Sequence, residues 1–205
     1  MATVSLHLES ILMELAEDDP QREPLQIIEQ EVERMGSLVA HLLQFSRRSQ
    51  QQISGVNIAA EIDKTLELMQ FYLRNRNVAV QREFTGSGVL VQADHQQIRQ
   101  LFLNLITNAA DAMPDGGTLT LRVYRNNGSV IIEVCDTGVG ISPENMAHVM
   151  EAFFTTKPEG KGTGLGLSIC RRIATEHKGT FEIESQVNEG TTVRITLPHL
   201  VDEEI

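Results

Sequence analysis

The chain has 205 residues, a formal net charge of −11 and 41% hydrophobic residues, so it can bury one sizeable core and carry an appendage. The acidic balance argues against a nucleic-acid-binding surface, which would be basic. No apolar run approaches the roughly 20 residues of a membrane span. Cys135 and Cys170 lie in apolar contexts, which favours a reduced, cytoplasmic location and is compatible with a membrane-anchored full-length parent.

Residues 1–52 are predicted to form a helical hairpin. Apolar residues repeat every three or four positions on both sides of a break at 17–24: Val4, Leu8, Ile11 and Leu15 before it, and Leu25, Ile28, Val32, Met35, Val39 and Leu42 after it. Two helices bury little alone, so we expect a homodimer through a four-helix bundle. The second helix would span about 40 Å and the first about 24 Å, so we expect part of the first helix to precede this chain.

Residues 53–205 are predicted to form a second domain, which comes after a polar joint at Gln50–Val56. The patterns predict helices at Ala59–Arg76, Asp94–Met113 (with Asp94 as N-cap), Pro143–Met150 and Leu165–His177. They predict strands at Val78–Phe84, Val89–Val91, Thr118–Arg125, Ser129–Cys135, Phe181–Gln186 and Thr191–Leu197. The fold class is therefore predicted to be α+β, a sandwich with a mixed, mostly antiparallel sheet covered by helices.

A glycine-rich tract, Gly160–Gly166, places four glycines at alternate positions before an apolar helical pattern. Glycine lets backbone amides face an anion, and the N-terminus of the next helix adds free N–H groups and a positive dipole end. The tract predicts a mobile phosphate-binding loop, and the alternative is a plain linker.

Two asparagines and an aspartate, Asn104, Asn108 and Asp111, share one face of a predicted helix. Magnesium keeps several waters and needs few protein ligands, so one amide oxygen can suffice for an ion that also holds nucleotide phosphates. The alternative is a solvated helix surface, but asparagine is a poor interior helix former. The spacing therefore favours a cation-binding role.

Two shorter motifs lie downstream of this helix. Asp136 ends an apolar strand and precedes Gly138 and Gly140, which would let a base approach the backbone. The Asp136 carboxylate could accept a hydrogen bond from an adenine amino group, and the alternative is an Asx turn. The segment Phe153–Lys157 ends in a lysine suited to terminal phosphates, although ordinary core packing also explains phenylalanines.

The order and spacing of these segments resemble the ATP-binding domain of sensor histidine kinases, in the superfamily that includes gyrase, the Hsp90 chaperone and MutL. The resemblance covers nearly the whole chain, and the phenylalanine segment with its short glycine-rich lid is similar to that of the nitrogen-regulatory and dicarboxylate-sensing kinases. The matching segments are Asn104–Ala112, Asp136–Gly140, Phe153–Lys157, Gly162–Gly166 and Gly190–Val193. The hairpin resembles the dimerisation and phosphotransfer bundle of these kinases.

The resemblance implies ATP and Mg²⁺ as cofactors, with Asn108 as the metal ligand and Asn104 beside it. It implies that Asp136 and Thr191 hold adenine and that Lys157 holds phosphates, with Asn104, Asn108 and Lys157 as the catalytic residues. The γ-phosphoryl would pass to a histidine and then to an aspartate of a response regulator receiver domain. The other implied nucleotide-binding positions are Asp111, Gly138, Gly140, Ile141, Thr155, Thr156, Gly162, Thr163, Gly164, Leu165, Gly166 and Leu167.

The acceptor histidine of such kinases lies on the first hairpin helix and directly precedes an acidic residue. None of the six histidines of this chain fits, since His7 precedes Leu8 and His41 precedes Leu42 on the second helix. The segment Thr3–Glu9 instead resembles the stretch of helix just beyond the acceptor in these kinases. We therefore expect this chain to bind ATP without phosphorylating itself.

Three other functions remain open from the sequence. An ATPase of the gyrase or Hsp90 type would need a glutamate where Asn104 stands. A serine or 2-oxoacid-dehydrogenase kinase of the same superfamily is disfavoured by the helical hairpin. A dimeric scaffold that binds a response regulator without ATP would keep the hairpin but would not need Asn108, Asp136 and Lys157.

Overall fold

The computed structural model describes residues 52–85, 89–158 and 162–200, together with scattered residues between 7 and 32. The chain divides into two compact units. One comprises Met1–Ser49 with Phe153–Leu165, and the other comprises Gln50–Ala152 with Gly166–Ile205. Within the described ranges, no helix is both long enough and apolar enough to cross a membrane.

The second unit contains eleven elements in its described residues. The strands are β1 (Ile53–Asn57), β2 (Val78–Phe84), β3 (Leu90–Asp94), β4 (Gly117–Asn126), β5 (Ser129–Asp136), β6 (Thr180–Gln186) and β7 (Gly190–Pro198). The helices are α1 (Ile58–Asn75), α2 (His95–Asp111), α3 (Pro143–Met146) and α4 (Gly166–Glu176).

Five strands form the main sheet in the order β2-β4-β5-β7-β6. Among the described strands of this sheet, only β2 and β4 pair in parallel, and the other neighbours are antiparallel. Alternate residues of the central strands are fully buried, as the pleat requires when helices cover one face; examples are Leu119, Leu121 and Ile132. The predicted α+β sandwich with a mostly antiparallel sheet is therefore confirmed.

The interpretation of Gln50–Val56 as a polar joint is wrong, because Ile53–Asn57 forms strand β1. This strand pairs antiparallel with β3 as a separate two-stranded sheet. Its sequence contains glycine and serine, and only Val56 is buried. The strand therefore depends on its long-range partner rather than on a local pattern of its own.

Helix α2 carries the asparagines and is fixed at its N-terminus by two interactions. Asp94 is its N-cap, as predicted, and accepts from the backbone N–H groups of Gln96 and Gln97. The backbone N–H of Asp94 donates to Nε2 of buried His177, whose Nδ1 lies 2.7 Å from the carbonyl of Ile173. His177 is therefore the Nδ1–H tautomer, and it joins the end of α4 to the start of α2.

A buried carboxylate joins α1 to α2. Glu61 is only 1% exposed and pairs with Arg99 at 2.6 Å, while Nδ1 of His95 lies 3.4 Å from its second oxygen. Burial alone would raise the pKa of Glu61, but hydrogen bonding and the charge of Arg99 outweigh it, so the pKa is lowered. The pair stays ionised and holds the two helices in register.

The predicted N-terminal hairpin lies mostly outside the described residues. Residues 10–13, 22, 24–25, 27–28 and 32 are helical. Nη1 of Arg22 donates to the carbonyl oxygens of Leu12 and Leu15, at 3.0 and 2.9 Å. Such a guanidinium satisfies carbonyls that the end of a helix leaves without intrahelical partners.

Candidate functional site

Three polar residues form a row across the end of the main sheet. Asp136 of β5 is in register with Thr191 of β7, and Thr191 is in register with Ser185 of β6. All three side chains lie on the sheet face that the helices cover, because side chains two residues apart on a strand share a face. The residues two positions away on the same strands are the apolar Val134, Val193 and Ile183. The row, called here the base row, comprises Asp136, Thr191 and Ser185.

Asp136 accepts two backbone hydrogen bonds at one oxygen. Its Oδ1 accepts from the N–H of Gly138 at 2.9 Å and from the N–H of Thr191 at 3.3 Å. The first bond is the Asx turn that the sequence left as an alternative. Burial raises the pKa of Asp136, although these two bonds lower it. The other oxygen, Oδ2, is thus the one left to a ligand.

Ser185 was not predicted as a site residue, yet its hydroxyl joins three segments. It accepts from the N–H of Ile141 at 2.9 Å, donates to the carbonyl of Gly190 at 2.8 Å, and lies 2.9 Å from Oγ1 of Thr191. The sequence signal was weak, because a serine in a strand is ordinary until the strand register is known. These bonds fix the loop after β5 against the β6–β7 hairpin.

The glycines beside the base row permit close backbone contacts. A Cβ on Gly138 would lie 2.4 Å from the carbonyl oxygen of Ala112, and one on Gly140 (φ +69°) would lie 2.1 Å from that of Gln186. A Cβ on Gly190 (φ +111°) would lie 1.9 Å from the carbonyl oxygen of Asp136. The vacant Cβ positions of Gly138 and Gly140 thus face the protein's own main chain rather than a space for a base.

The asparagines of α2 lie beside the first residue of α4. Nδ2 of Asn104 donates to the carbonyl of Gly166 at 3.4 Å, and a Cβ on Gly166 would lie 3.5 Å from Nδ2 of Asn108. A Cβ at position 166 would therefore be in van der Waals contact with the Asn108 amide. The start of α4 therefore lies close to both amides, an arrangement that suits phosphate and a hard cation.

Asp111 shares this helix face, but its carboxylate is engaged by α1 and by Arg76, the C-cap of that helix. The Tyr72 hydroxyl donates to its Oδ1 at 2.7 Å, and Nη2 of Arg76 pairs with the same oxygen at 3.0 Å. Arg76 also stacks over the Tyr72 ring at 4.5 Å. Burial, then the bond to Asp111, raises the pKa of Tyr72 to about 12. These contacts give Asp111 a structural role in joining α1 and α2, which its spacing alone did not reveal.

The segment 153–165 belongs to the other unit, and its described residues, 153–158 and 162–165, contact one another; Gly160 of the predicted glycine tract lies outside the described residues. The N–H of Phe153 (φ +71°) donates to the carbonyl of Gly164 at 2.9 Å. A Cβ on Gly164 would lie 2.3 Å from the carbonyl carbon of Phe153, so this position needs glycine. Oγ1 of Thr155 accepts from the N–H of Lys157 at 3.2 Å, and a Cβ on Gly162 would lie 2.4 Å from that oxygen.

The predicted site residues thus fall into three groups. The first group adjoins the base row, and the second lies at α2 and the start of α4. The third lies in the loop 153–165. In that order the groups are Asp136, Gly138, Gly140, Ile141 and Thr191; then Asn104, Asn108, Asp111, Gly166 and Leu167; then Thr155, Thr156, Lys157, Gly162, Thr163, Gly164 and Leu165.

Comparison with known proteins identifies the class to which these features belong. Residues 93–201, more than half of the chain, match the family described as histidine kinase-, DNA gyrase B- and HSP90-like ATPase. The chain is 36% identical over 200 residues to the sensor kinase CckA of Brucella abortus (strain 2308), covering 90% of this chain and 21% of CckA. The chain therefore belongs to the histidine kinase-, DNA gyrase B- and HSP90-like ATPase family.

Solved structures narrow this assignment within the family. The catalytic domain of the histidine kinase ThkA superposes with a TM-score of 0.65 at 30% identity, covering 72% of this chain and 95% of that domain. ThkA in complex with the response regulator protein TrrA superposes with a TM-score of 0.74 at 23% identity, covering 98% of this chain and 58% of that one. The predicted ATP-binding catalytic domain of a sensor histidine kinase is confirmed.

The chain spans only part of the relatives that it matches. It covers between 21% and 34% of the length of the first curated relatives, all of which are named as kinases. These names support histidine kinase activity for the family.

Proposed function

We propose that this chain binds ATP with Mg²⁺ and transfers the γ-phosphoryl group to a histidine, which passes it to an aspartate of a response regulator. The observation that carries the proposal is the geometry of Asp136. Its half-buried carboxylate has one oxygen held by backbone N–H groups and the other left for a ligand donor. An adenine amino group is a donor of the right kind for such an oxygen.

The donor set also fits the phosphate end of a nucleotide. We propose that Asn108 ligates Mg²⁺ through its amide oxygen, while the N–H groups at the start of α4 face the phosphates. Asn104 positions the start of α4 through its bond to Gly166. The bound Mg²⁺ would supply charge neutralisation on the phosphates. We propose that Lys157 and the glycine amides of the loop 153–165 hold phosphates as well.

Asn104 also bears on the type of reaction. Activation of a water for hydrolysis needs a general base within reach, and an amide is a poor base. The neighbouring Cys170 offers none, because burial raises the pKa of its thiol to about 12. Transfer to a histidine needs no protein base at this position, since the imidazole nitrogen is itself the nucleophile. Asn104 and Cys170 thus favour phosphotransfer over ATP hydrolysis.

None of the six histidines of this chain precedes an acidic residue, so we propose that none of them is the phosphoryl acceptor. We further propose that two copies pair through the helical hairpin, as the apolar stripes of residues 1–52 predict. The response regulator partner is proposed from the resemblance, and ThkA, a structural neighbour, has been solved with such a protein. Analytical ultracentrifugation tests the dimer: a monomer at micromolar concentration would contradict it.

The function is tested with ATP in two steps. Calorimetric titration should show ATP binding that strengthens when Mg²⁺ is present, and absence of ATP binding would contradict the proposal. Radiolabelled ATP is then supplied to the chain alone and with a helical bundle that carries a His-acidic pair. We expect acid-labile, base-stable label on the bundle and none on the chain. Label on the chain alone would show that one of its own histidines is the acceptor.

A further inference from the structure

The Ser185 hydroxyl has all its hydrogen-bonding capacity used. A serine hydroxyl offers one donor and two acceptor positions. The carbonyl of Gly190 can only accept, so at 2.8 Å it takes the Ser185 proton. The N–H of Ile141 can only donate, so at 2.9 Å it occupies one Ser185 lone pair. One acceptor position remains on Ser185 for the contact with Thr191.

That contact fixes the polarity of the neighbouring threonine. Oγ1 of Thr191 lies 2.9 Å from Oγ of Ser185. Because the Ser185 proton is committed to Gly190, Thr191 must be the donor in this contact. The Thr191 hydroxyl therefore presents only lone pairs to its other neighbours. Its backbone N–H is committed as well, since it donates to Asp136.

The end of the sheet thus offers acceptors on adjacent strands. Asp136 presents a carboxylate oxygen, and Thr191, directly opposite it in the strand register, presents hydroxyl lone pairs. A purine with an amino group at C6 brings donors to such a surface, whereas a purine with an oxo group at C6 brings a further acceptor. Two acceptors facing one another leave both unsatisfied.

We propose that Ser185 is a specificity-determining positioning residue: it orients the Thr191 hydroxyl as an acceptor, so that the site prefers a C6-amino purine over a C6-oxo purine. This inference rests on the proposed binding of ATP. Ser185 acts through Thr191 and need not touch the nucleotide. Its removal frees the Thr191 hydroxyl to rotate and donate to a C6 oxygen.

The test compares ATP with inosine triphosphate (ITP), which differs from ATP at C6 and at the protonation of N1. Affinities with Mg²⁺ are measured by calorimetry for the wild type, Ser185→Ala, Ser185→Thr and Thr180→Ala. Thr180→Ala is the matched control, because it removes an exposed hydroxyl from the other end of β6. We expect Ser185→Ala to lower the preference for ATP over ITP about three- to tenfold, as one hydrogen bond would. Ser185→Thr and Thr180→Ala should keep the wild-type preference.

A double-mutant cycle keeps the test decisive if Ser185→Ala is less stable. Thr191→Val should lower the preference by itself, and adding Ser185→Ala should lower it no further, since both act on one hydroxyl. Equal losses for ATP and ITP in Ser185→Ala would mean a merely structural role and overturn the inference. An unchanged preference would do the same. A wild type that binds no ATP would instead overturn the proposed function.

Discussion

The base row and the asparagine face of α2 are fixed in different ways. Asp136, Thr191 and Ser185 lie on three neighbouring strands, where register and five hydrogen bonds hold them. Asn104 and Asn108 lie one turn apart on a helix, where Nδ2 of Asn104 donates to the carbonyl of Gly166 on α4 at 3.4 Å. The base row is therefore preorganised by the sheet, whereas the asparagine face depends on how two helices pack.

The largest effect should come from breaking the base row through its backbone. Gly190→Ala should destabilise the domain by about 3 kcal/mol or more, because φ is +111° and the new Cβ would overlap the Asp136 carbonyl. Gly128→Ala is the control: φ is +76° but no heavy atom lies within 4 Å, so about 1 kcal/mol is expected. Urea unfolding measures both, and equal costs would contradict the close approach of β5 to β7.

The asparagine face is tested by removing its proposed metal ligand. Asn108→Ala should weaken ATP binding in Mg²⁺ by about tenfold or more, on the scale that a lost metal-site partner costs. Binding in EDTA should change little, because no ion is then held. Calorimetry with and without Mg²⁺ separates the metal-dependent part of the ATP affinity from the metal-independent part. The control is Gln96→Ala, at an exposed position of the same helix. Equal losses with and without Mg²⁺ would argue against ligation by Asn108.

A smaller effect distinguishes a structural from a nucleotide-binding Asp111. Tyr72→Phe removes the 2.7 Å bond to Asp111 and should cost about 1 kcal/mol in the free energy of unfolding. Tyr124→Phe, which loses a longer bond of 3.3 Å to Glu133, should cost less. ATP affinity should remain within about twofold of wild type in both, less than one net hydrogen bond. A much larger loss of affinity in Tyr72→Phe would restore Asp111 to the nucleotide site.

The smallest effect concerns the stability of the ATP-free domain. Burial raises the pKa of Asp136 above its ordinary value, so ionisation of this carboxyl costs folding free energy. The stability that the neutral form contributes is fully present below the unfolded-state pKa and is lost as pH rises through the folded-state pKa. Asp136→Asn should therefore raise the melting temperature at pH 7, and the gain should vanish near pH 3. A lower melting temperature for Asp136→Asn than for wild type at pH 7 would contradict the raised pKa of Asp136.

Local patterns in the sequence predicted most elements of the second unit. The bounds of β2 were predicted as observed, and Asp94 caps α2 as expected. Such elements depend on periodicity and on a cap, which are both local. Strand β1 was missed because its sequence has little strand character without β3 as its partner.

The residues of the candidate site likewise divide into those that local sequence patterns predict and those whose roles depend on distant partners. The aspartate that ends β5 and the asparagines of α2 could be found from spacing and residue type. Ser185 could not be predicted, because its role arises from the pairing of β6 with β7 and from a loop about forty residues earlier in the chain. The partners of Asp111 are likewise distant, since Tyr72 lies 39 residues earlier on α1. Long-range register, rather than residue type, decides both roles.

The central claim is that the Asp136 carboxylate at the end of β5 binds the base of ATP. The most direct measurement is calorimetric titration of ATP with Mg²⁺ into Asp136→Ala, with Asp115→Ala, an exposed aspartate in the turn after α2, as the control. We predict that Asp136→Ala binds ATP at least about tenfold more weakly than wild type, the value of a hydrogen bond to a charged group, and that Asp115→Ala binds like wild type. Equal affinity of Asp136→Ala and wild type for ATP would contradict the claim.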